Sequence, residues 1–213
     1  IINEKVKHKI NEDLSPTRNL TGFHLKVVAG IAIIWSLFQL WYALPFPVMF
    51  NFGMFKGLPA RAIHLGFALT LAFLIYPISK GRKISVFDII ISFIAAFSCF
   101  YIYFFYDQLV DRGGVLLSVV IGDSFKLPIE LIIGSLGILI LLEATRRAIG
   151  LPLVIIATCF SLFPHFGRYA PAIISHGGLS LSRLVGFQWL EQEAIFGIPI
   201  GVSVDFIFLF VLF

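Results

Sequence analysis

Long apolar runs, all but the last without a charged residue, alternate with short polar or proline-containing segments from residue 27 to the end of the sequence. A bilayer core of about 30 Å is crossed by roughly 20 helical residues, so these runs predict membrane-spanning helices. Six segments follow the pattern, at residues 27–44, 62–79, 89–106, 131–142, 148–163 and 194–213. The predicted fold class is an all-α polytopic transmembrane protein of about six spans, the last of which is truncated where the sequence stops.

The fourth segment is the shortest, because Glu130 and Glu143 limit its uncharged part to 12 residues. The Lys and Arg residues favour a full crossing there. If the spans alternate, ten of the 16 lie on the side of residue 1, and the other six lie opposite in longer loops. Positive charge concentrates on the cytoplasmic side of membrane proteins. The N-terminus is therefore predicted to be cytoplasmic, with residues 1–26 as a charged cytoplasmic tail.

Two segments outside the spans carry apolar patterns of their own. Residues 46–55 are aromatic and nearly uncharged, which predicts a position at the headgroup level on the outer side. Residues 180–193 have the one-sided pattern of an amphipathic helix. Its predicted apolar face consists of Leu181, Leu184, Val185, Phe187 and Leu190, opposite Arg183, Gln188, Glu191 and Gln192.

The composition supports the membrane assignment. The chain is 59% hydrophobic and 13% charged, whereas soluble domains have roughly 45–50% apolar and about 25% charged residues. A soluble globule and a disordered chain are therefore excluded as interpretations. The net charge of +4 is accounted for by topology signals, so no nucleic-acid partner is expected.

The polar residues give no catalytic or metal-binding motif. The five histidines lie at positions 8, 24, 64, 165 and 176, and no spacing of the HExxH or CxxC kind connects them. Nucleotide-binding and nucleophile-elbow motifs are also missing from the sequence. We therefore predict no catalytic residue, no metal ligand and no bound cofactor.

The last apolar run contains the polar positions of greatest interest. Asp205 is an acid well inside a predicted span, which suggests an ion or proton path, or a carboxylate satisfied by partner helices beyond this sequence or by reaching toward the membrane surface. Gly197, Pro199 and Gly201 allow two interpretations. They weaken a helix, as in the broken helices of transporters, and their Gly-x-x-x-Gly spacing also permits close helix packing.

Glu143, Arg146 and Arg147 follow the fourth apolar run. Glu143 and Arg147 are four residues apart, so they are predicted to pair on one helix face. The two arginines are also predicted to anchor this end of the helix on the cytoplasmic side.

Three strings resemble a known transporter family: LLEATRRAIGLPL at 141–153, YAPAIISHGGLSLSRLV at 169–185 and EAIFGIPIGVSVDFIFLFVLF at 193–213. They are similar to the fused permeases of tripartite ATP-independent periplasmic (TRAP) transporters. The closest type joins a four-helix part to a twelve-helix part and works with TAXI-type solute-binding proteins. The likeness covers about residues 130–213, and before them only the order of spans is similar.

The resemblance implies that the chain is the N-terminal portion of a longer permease. Residues 27–147 would be the four-helix, small-subunit-like membrane domain, and residues 148–213 would begin the large transport domain. Such permeases import organic anions, commonly carboxylates, across the bacterial inner membrane. A periplasmic binding protein delivers the anion and a gradient of Na⁺ or H⁺ drives uptake. The implied partners are the TAXI-type binding protein, the lipid bilayer and the rest of the permease chain.

Asp205 departs from the small or apolar residue expected in the family string, which argues against a direct ion role for its carboxylate. Two further function classes remain open on the sequence. One is a scaffold or assembly module without transport of its own. The other is a membrane-embedded enzyme that uses His165, His176 and Asp205.

Overall fold

A computed structural model describes residues 17–55, 57–78, 84–113, 115–121 and 125–212. The α-helices are α1 (Gly22–Ala43), α2 (Phe46–Met49), α3 (Gly57–Ile75), α4 (Val86–Phe104), α5 (Tyr106–Asp111), α6 (Ile129–Ala148), α7 (Leu151–Phe166), α8 (Leu181–Val185), α9 (Ile198–Val202) and α10 (Phe208–Leu212). A 3₁₀ turn at Gly167–Tyr169 follows α7, and π-helical turns at Gly186–Leu190 and Ser203–Ile207 extend α8 and join α9 to α10. The all-α prediction is confirmed apart from one antiparallel hairpin, β1 (Val119–Ile121) with β2 (Phe125–Leu127), which the sequence pattern did not predict.

By length and hydropathy the chain is a multi-span membrane protein. The described residues contain four helices long and apolar enough to cross a bilayer, at Gly22–Ala43, Gly57–Ile75, Val86–Phe104 and Leu151–Tyr169. They correspond to the first, second, third and fifth predicted spans. Of the six expected spans, the fourth and sixth are not among these helices.

The two remaining segments are helical but differ from the expectation. Helix α6 extends through both Glu130 and Glu143 and has 20 residues, which gives it a length of about 30 Å. Its four charged residues make it less apolar than the other long helices. The sixth segment does not begin at residue 194. Its helical part is the apolar stretch Ile198–Val211, which is shorter than a full span.

Local signals explain where the long helices start. Helix α4 begins with a capping box. Ser85 Oγ accepts the Phe87 backbone N–H, and the Asp88 carboxylate accepts the Ser85 backbone N–H. Helix α7 begins after Gly150, whose φ of +114° favours glycine, and Pro152 occupies its first turn as predicted. Helix α1 begins at Gly22, so residues 22–26 of the expected tail are helical. Residues 1–16 of that tail lie outside the described residues.

The core forms around α3, which packs most extensively against α4 and also contacts α1 and α6. Its centre is the fully buried Trp189 from the π turn after α8, in edge contact with Phe196 at 5.3 Å between ring centroids. Helix α6 accommodates the indole at Gly137, where a Cβ would lie 2.6 Å from Trp189 Cδ2 and closer still to two other ring atoms. Residues from both sides of the predicted domain boundary at 147/148 thus share one core.

The predicted amphipathic helix at 180–193 is shorter than expected, and its apolar face is correct for Leu184, Val185 and Leu190 only. It ends at Leu190, and its buried side includes Gln188 and Trp189, whereas Leu181 and Phe187 are exposed. The reason is the change to π-helical winding at Gly186, which alters the angle between successive side chains. Gln188 is accommodated because its Nε2 donates to the Ser161 carbonyl at 2.8 Å.

Of the four candidate spans, α1 and α7 are the least buried within the protein. Only 11% of the most apolar 18-residue part of α1 is buried, and only 6% of the corresponding part of α7. The short helix α2 and its neighbours also expose large apolar side chains, including Val48, Phe50 and Phe52. The interfacial position of residues 46–55 stays a prediction, to which these exposed apolar side chains are suited.

Candidate functional site

The predicted break in the last apolar run lies before Ile198 and not inside a helix. Gly197 has non-helical backbone angles, and α9 starts with Pro199 in its first turn, where the missing N–H has little cost. A side chain at Gly197 would overlap the Glu193 carbonyl and lie 3.0 Å from that of Ala194. Gly197 and Pro199 therefore mark a chain reversal into a new helix start.

Arg61 of α3 stabilises this reversal from the side. Its Nη1 donates to the carbonyls of Phe196 at 2.8 Å and Gly197 at 3.3 Å. The Gly197 carbonyl also accepts the Gly201 N–H at 3.0 Å, whereas the Phe196 carbonyl lies before the helix, so the guanidinium supplies a hydrogen bond that an apolar surrounding cannot. A Cβ at Gly201 would lie 2.7 Å from Arg61 Nη2. Gly201 therefore lies against an arginine side chain, whereas its spacing predicted close packing of a helix.

The π turn at Ser203–Ile207 brings further polar groups against α1 and α3. Gln39 Nε2 donates to the Val204 carbonyl at 3.1 Å, and His64 Nε2 lies 3.2 Å from Ser203 Oγ. The Trp35 indole donates to His64 Nδ1 at 3.3 Å. Because Nδ1 accepts this bond, the ring proton of neutral His64 lies on Nε2 and is donated to Ser203.

Asp205 follows in the same π turn and lies next to Tyr42 near the end of α1. The Tyr42 phenol interacts with the Asp205 carboxylate, and Arg61 is close enough to act on the same phenol electrostatically. The carboxylate therefore has a partner on another helix of this chain, which neither predicted alternative for Asp205 included. We call Gln39, Tyr42, Arg61, His64, Ser203 and Asp205 the α1–α3 polar cluster.

One atom of this cluster has an unused hydrogen-bonding capacity. Gln39 is 1% exposed and its Oε1 has no hydrogen-bond partner among the described residues. A buried amide oxygen without a donor is costly unless water or a cation occupies the space beside it. The cluster therefore combines a chain reversal, a buried free acceptor and a contact between an acid and a phenol, all between otherwise apolar helices.

A second charged group ties α6 to α4 and to the chain before α1. The predicted pairing of Glu143 with Arg147 is confirmed, with 2.7 Å between Oε1 and Nε. Glu143 also pairs with Arg146 at 2.7 Å, while Arg147 reaches Asp88 at 2.6 Å. Asp88 pairs in addition with Arg18, and neither carboxylate oxygen of Asp88 is exposed. We call these five residues the Asp88 cluster.

Sequence reasoning did not identify Arg18 and Asp88 as partners. The Ser85-x-x-Asp88 spacing contained a capping signal, but the pairs with Arg18 and Arg147 span 70 and 59 residues. A local sequence pattern does not indicate contacts between residues that are so far apart along the chain.

Glu130 forms a third buried group. Its carboxylate is fully buried and accepts from Arg112 at 2.5 and 2.9 Å, from the Tyr101 hydroxyl at 3.0 Å and from the Leu117 backbone N–H at 2.6 Å. The hydrogen bonds with Glu130 raise the pKa of Arg112 above its usual value. This group fastens the segment after α5 to the start of α6.

Of the two histidines of the enzyme hypothesis, His165 lies in the last turn of α7 and His176 in the loop after it. His165 Nδ1 is 2.7 Å from the Leu179 carbonyl, and His176 Nδ1 accepts the Gly178 N–H at 3.2 Å. Asp205 has its contact with Tyr42 instead. The part of the chain that the structure describes contains no group of three or more His, Cys, Asp or Glu side chains able to hold a metal ion.

Comparisons with known proteins identify no relative. No protein family, curated protein or solved structure matches the chain.

Proposed function

We propose that this chain is the N-terminal portion of a TRAP-type permease of the bacterial inner membrane. It would import organic anions, most simply carboxylates, using a Na⁺ or H⁺ gradient and a periplasmic TAXI-type solute-binding protein. The observation that supports the proposal best is the chain reversal at Gly197, held by Arg61 between long apolar helices. Transporters use interrupted helices of this kind to present backbone groups to substrates and ions.

The position of the α1–α3 polar cluster relative to the two proposed domains adds to this argument. Arg61 and His64 belong to the four-helix part, whereas Ser203 and Asp205 belong to the start of the transport part. Any displacement of one part against the other would have to exchange these hydrogen bonds. We infer that Gly197, Pro199, Gly201 and Asp205 form the lining of the path next to this contact, with Arg61 as its positioning residue.

The proposed topology has six spans and a cytoplasmic N-terminus. Helix α6 would supply the fourth crossing, since its 20 residues equal the thickness of the bilayer core. Glu130 and Glu143 are then neutralised near its two ends by Arg112 and by Arg146 and Arg147. The loop after α7 would face the periplasm and the binding protein.

A scaffold without transport of its own is the second candidate. The observation in its favour is the fixed packing of α3, α4 and α6, which the Asp88 cluster and the Glu130 group fasten at two places. Multiple buried ion pairs of this kind hold helices in one arrangement.

Uptake of labelled organic acids into proteoliposomes tests these alternatives. The complete protein is reconstituted with and without its binding protein, under imposed Na⁺ and proton gradients. We compare the wild type with Arg61→Met, which removes the charged donor, and Gly201→Ala, whose methyl group displaces the same guanidinium. The exposed Arg183 supplies the matched control, Arg183→Gln.

Loss of a charge-assisted hydrogen bond in a buried site costs about 1.5–3 kcal/mol, so uptake should fall at least about tenfold in both test variants. The control should retain wild-type uptake. Uptake without the binding protein would indicate a different class of carrier. No flux under any gradient, in a protein that is folded and reconstituted, would favour the scaffold.

A further inference from the structure

A cavity separates α1 from α4 on the surface of α3. Helix α1 packs against α3 but has few contacts with α4, which leaves a space of about 320 Å³ between the three helices. The space is partly open at the surface of the protein. Its lining includes Val28, Ile31, Thr70, Leu74, Ser92 and Ala96.

The two hydroxyl residues in this lining direct their hydrogen bonds away from the cavity, and His24 is the other polar lining residue. Thr70 Oγ1 donates to the Gly66 carbonyl at 2.7 Å, and Ser92 Oγ donates to the Thr70 carbonyl at 3.1 Å. Both hydroxyl groups are therefore satisfied within α3 and between α3 and α4. The wall consequently presents mainly carbon atoms, which suits a hydrocarbon chain and gives water few partners.

The Asp88 cluster adjoins the same cavity through Leu74. Arg18 Nη1 donates to the carbonyl of this lining residue at 3.1 Å. The five side chains of the cluster comprise three arginines and two carboxylates, so they carry one excess positive charge. Arg18 Nε and Arg147 Nη2 have no hydrogen-bond partner among the described residues. Buried guanidinium groups with unused donors favour a nearby anion.

We propose that this cavity binds an anionic phospholipid. One acyl chain occupies the space between α1, α3 and α4, and the phosphate lies at the end of the cavity next to the Asp88 cluster. Apolar lining explains the site for the chain, and the excess positive charge explains the preference for an anionic headgroup. The proposal is independent of the substrate and of the orientation of the protein in the membrane.

Photo-crosslinking tests the site in the complete protein. The protein is reconstituted in nanodiscs with phosphatidylglycerol or phosphatidylcholine that carries a diazirine in one acyl chain, and crosslinked peptides are identified by mass spectrometry. We expect crosslinks to concentrate on α1, α3 and α4 at the cavity. One cationic side chain near a membrane surface favours anionic lipid by roughly fivefold, so phosphatidylglycerol should crosslink about fivefold more than phosphatidylcholine.

Two variants with matched controls separate the chain site from the charge. Ala96→Phe fills the cavity and should abolish the localised crosslinks, whereas Ala157→Phe on α7 should not. Arg146→Gln removes the excess charge and should abolish the preference for phosphatidylglycerol, whereas Arg183→Gln should not.

The wild-type map is decisive even if a variant does not fold. Crosslinks of equal density on the exposed face of α7, or equal yields for the two lipids, would overturn the proposal. Because this readout involves no transport, its failure is distinct from failure of the proposed permease function.

Discussion

Substituting Gly137 by alanine tests the packing at the centre of the fold. A Cβ at this position would lie 2.6 Å from Trp189 Cδ2 and closer to Cε2 and Cζ2, whereas ordinary van der Waals contact begins near 3.4 Å. The indole must therefore move by about 1 Å or more. It is fully buried and packs against Phe196, and its Nε1 donates to the Ser98 carbonyl at 3.4 Å. There is accordingly no free space for this movement.

The net cost follows from three contributions. Overpacking a filled core costs about 1–3 kcal/mol, and weakening the Trp189 hydrogen bond costs about 1 kcal/mol. Alanine regains about 1 kcal/mol over glycine in a helix. We expect the free energy of unfolding to fall by about 1–3 kcal/mol.

Cysteine reactivity provides the assay, because Cys99 is buried in the same core while Cys159 is exposed. In a Cys159→Ser background, the temperature at which a thiol-reactive dye labels Cys99 reports unfolding, and Gly137→Ala should lower it. Gly30→Ala is the control, since nothing lies within 4 Å of its Cβ, and it should raise the temperature slightly. If Gly137→Ala behaves like this control, the close approach of α6 to Trp189 is refuted.

Three further outcomes are expected. Asp88→Asn leaves buried arginines without their carboxylate and should cost about 3–5 kcal/mol in the same assay, whereas Glu143→Gln, at a partly exposed pair, should cost at most about 1 kcal/mol. Glu130→Gln weakens the charged bonds that hold Arg112, so tryptic cleavage after this residue should accelerate about tenfold or more; unchanged cleavage would show that the carboxylate does not fasten the segment. The methyl group of Gly167→Ala would overlap the His176 imidazole ring, so the rate at which a thiol-reactive dye labels Cys159 on α7 should differ from the wild-type rate. Identical rates would contradict the packing of His176 against Gly167.

Some elements of the fold could be predicted because their signals are local. Uncharged runs of sufficient length predicted α1, α3, α4 and α7, and the four-residue spacing predicted the Glu143–Arg147 pair. The last run shows the limit of such signals. Gly197 and Pro199 indicated an interruption correctly, but the sequence did not distinguish a kinked helix from a reversal that precedes a new one.

Only some residues of the candidate site could be predicted from the sequence. Asp205 and the Gly-Pro segment could be selected from the sequence, because polar or helix-weakening residues are rare in apolar runs. No comparable signal marked Gln39, which lies toward the end of the first apolar run, or Arg61, which was assigned to a loop. Their roles depend on contacts with residues 165 and 135 positions away, and a local periodic pattern does not indicate contacts at such separations.

The sequence by itself determined that this is a helical membrane protein, because hydropathy over about 20 residues is set by composition alone. It also determined the pairs that lie within one turn of a helix. The tertiary structure decided which charges meet. Asp88 joins Arg18 to Arg147, and Arg61 reaches the Phe196 carbonyl, only because α3, α4 and α6 pack closely enough to exclude water. Buried polar groups must find partners wherever packing places them, and that requirement acts in space and not along the chain.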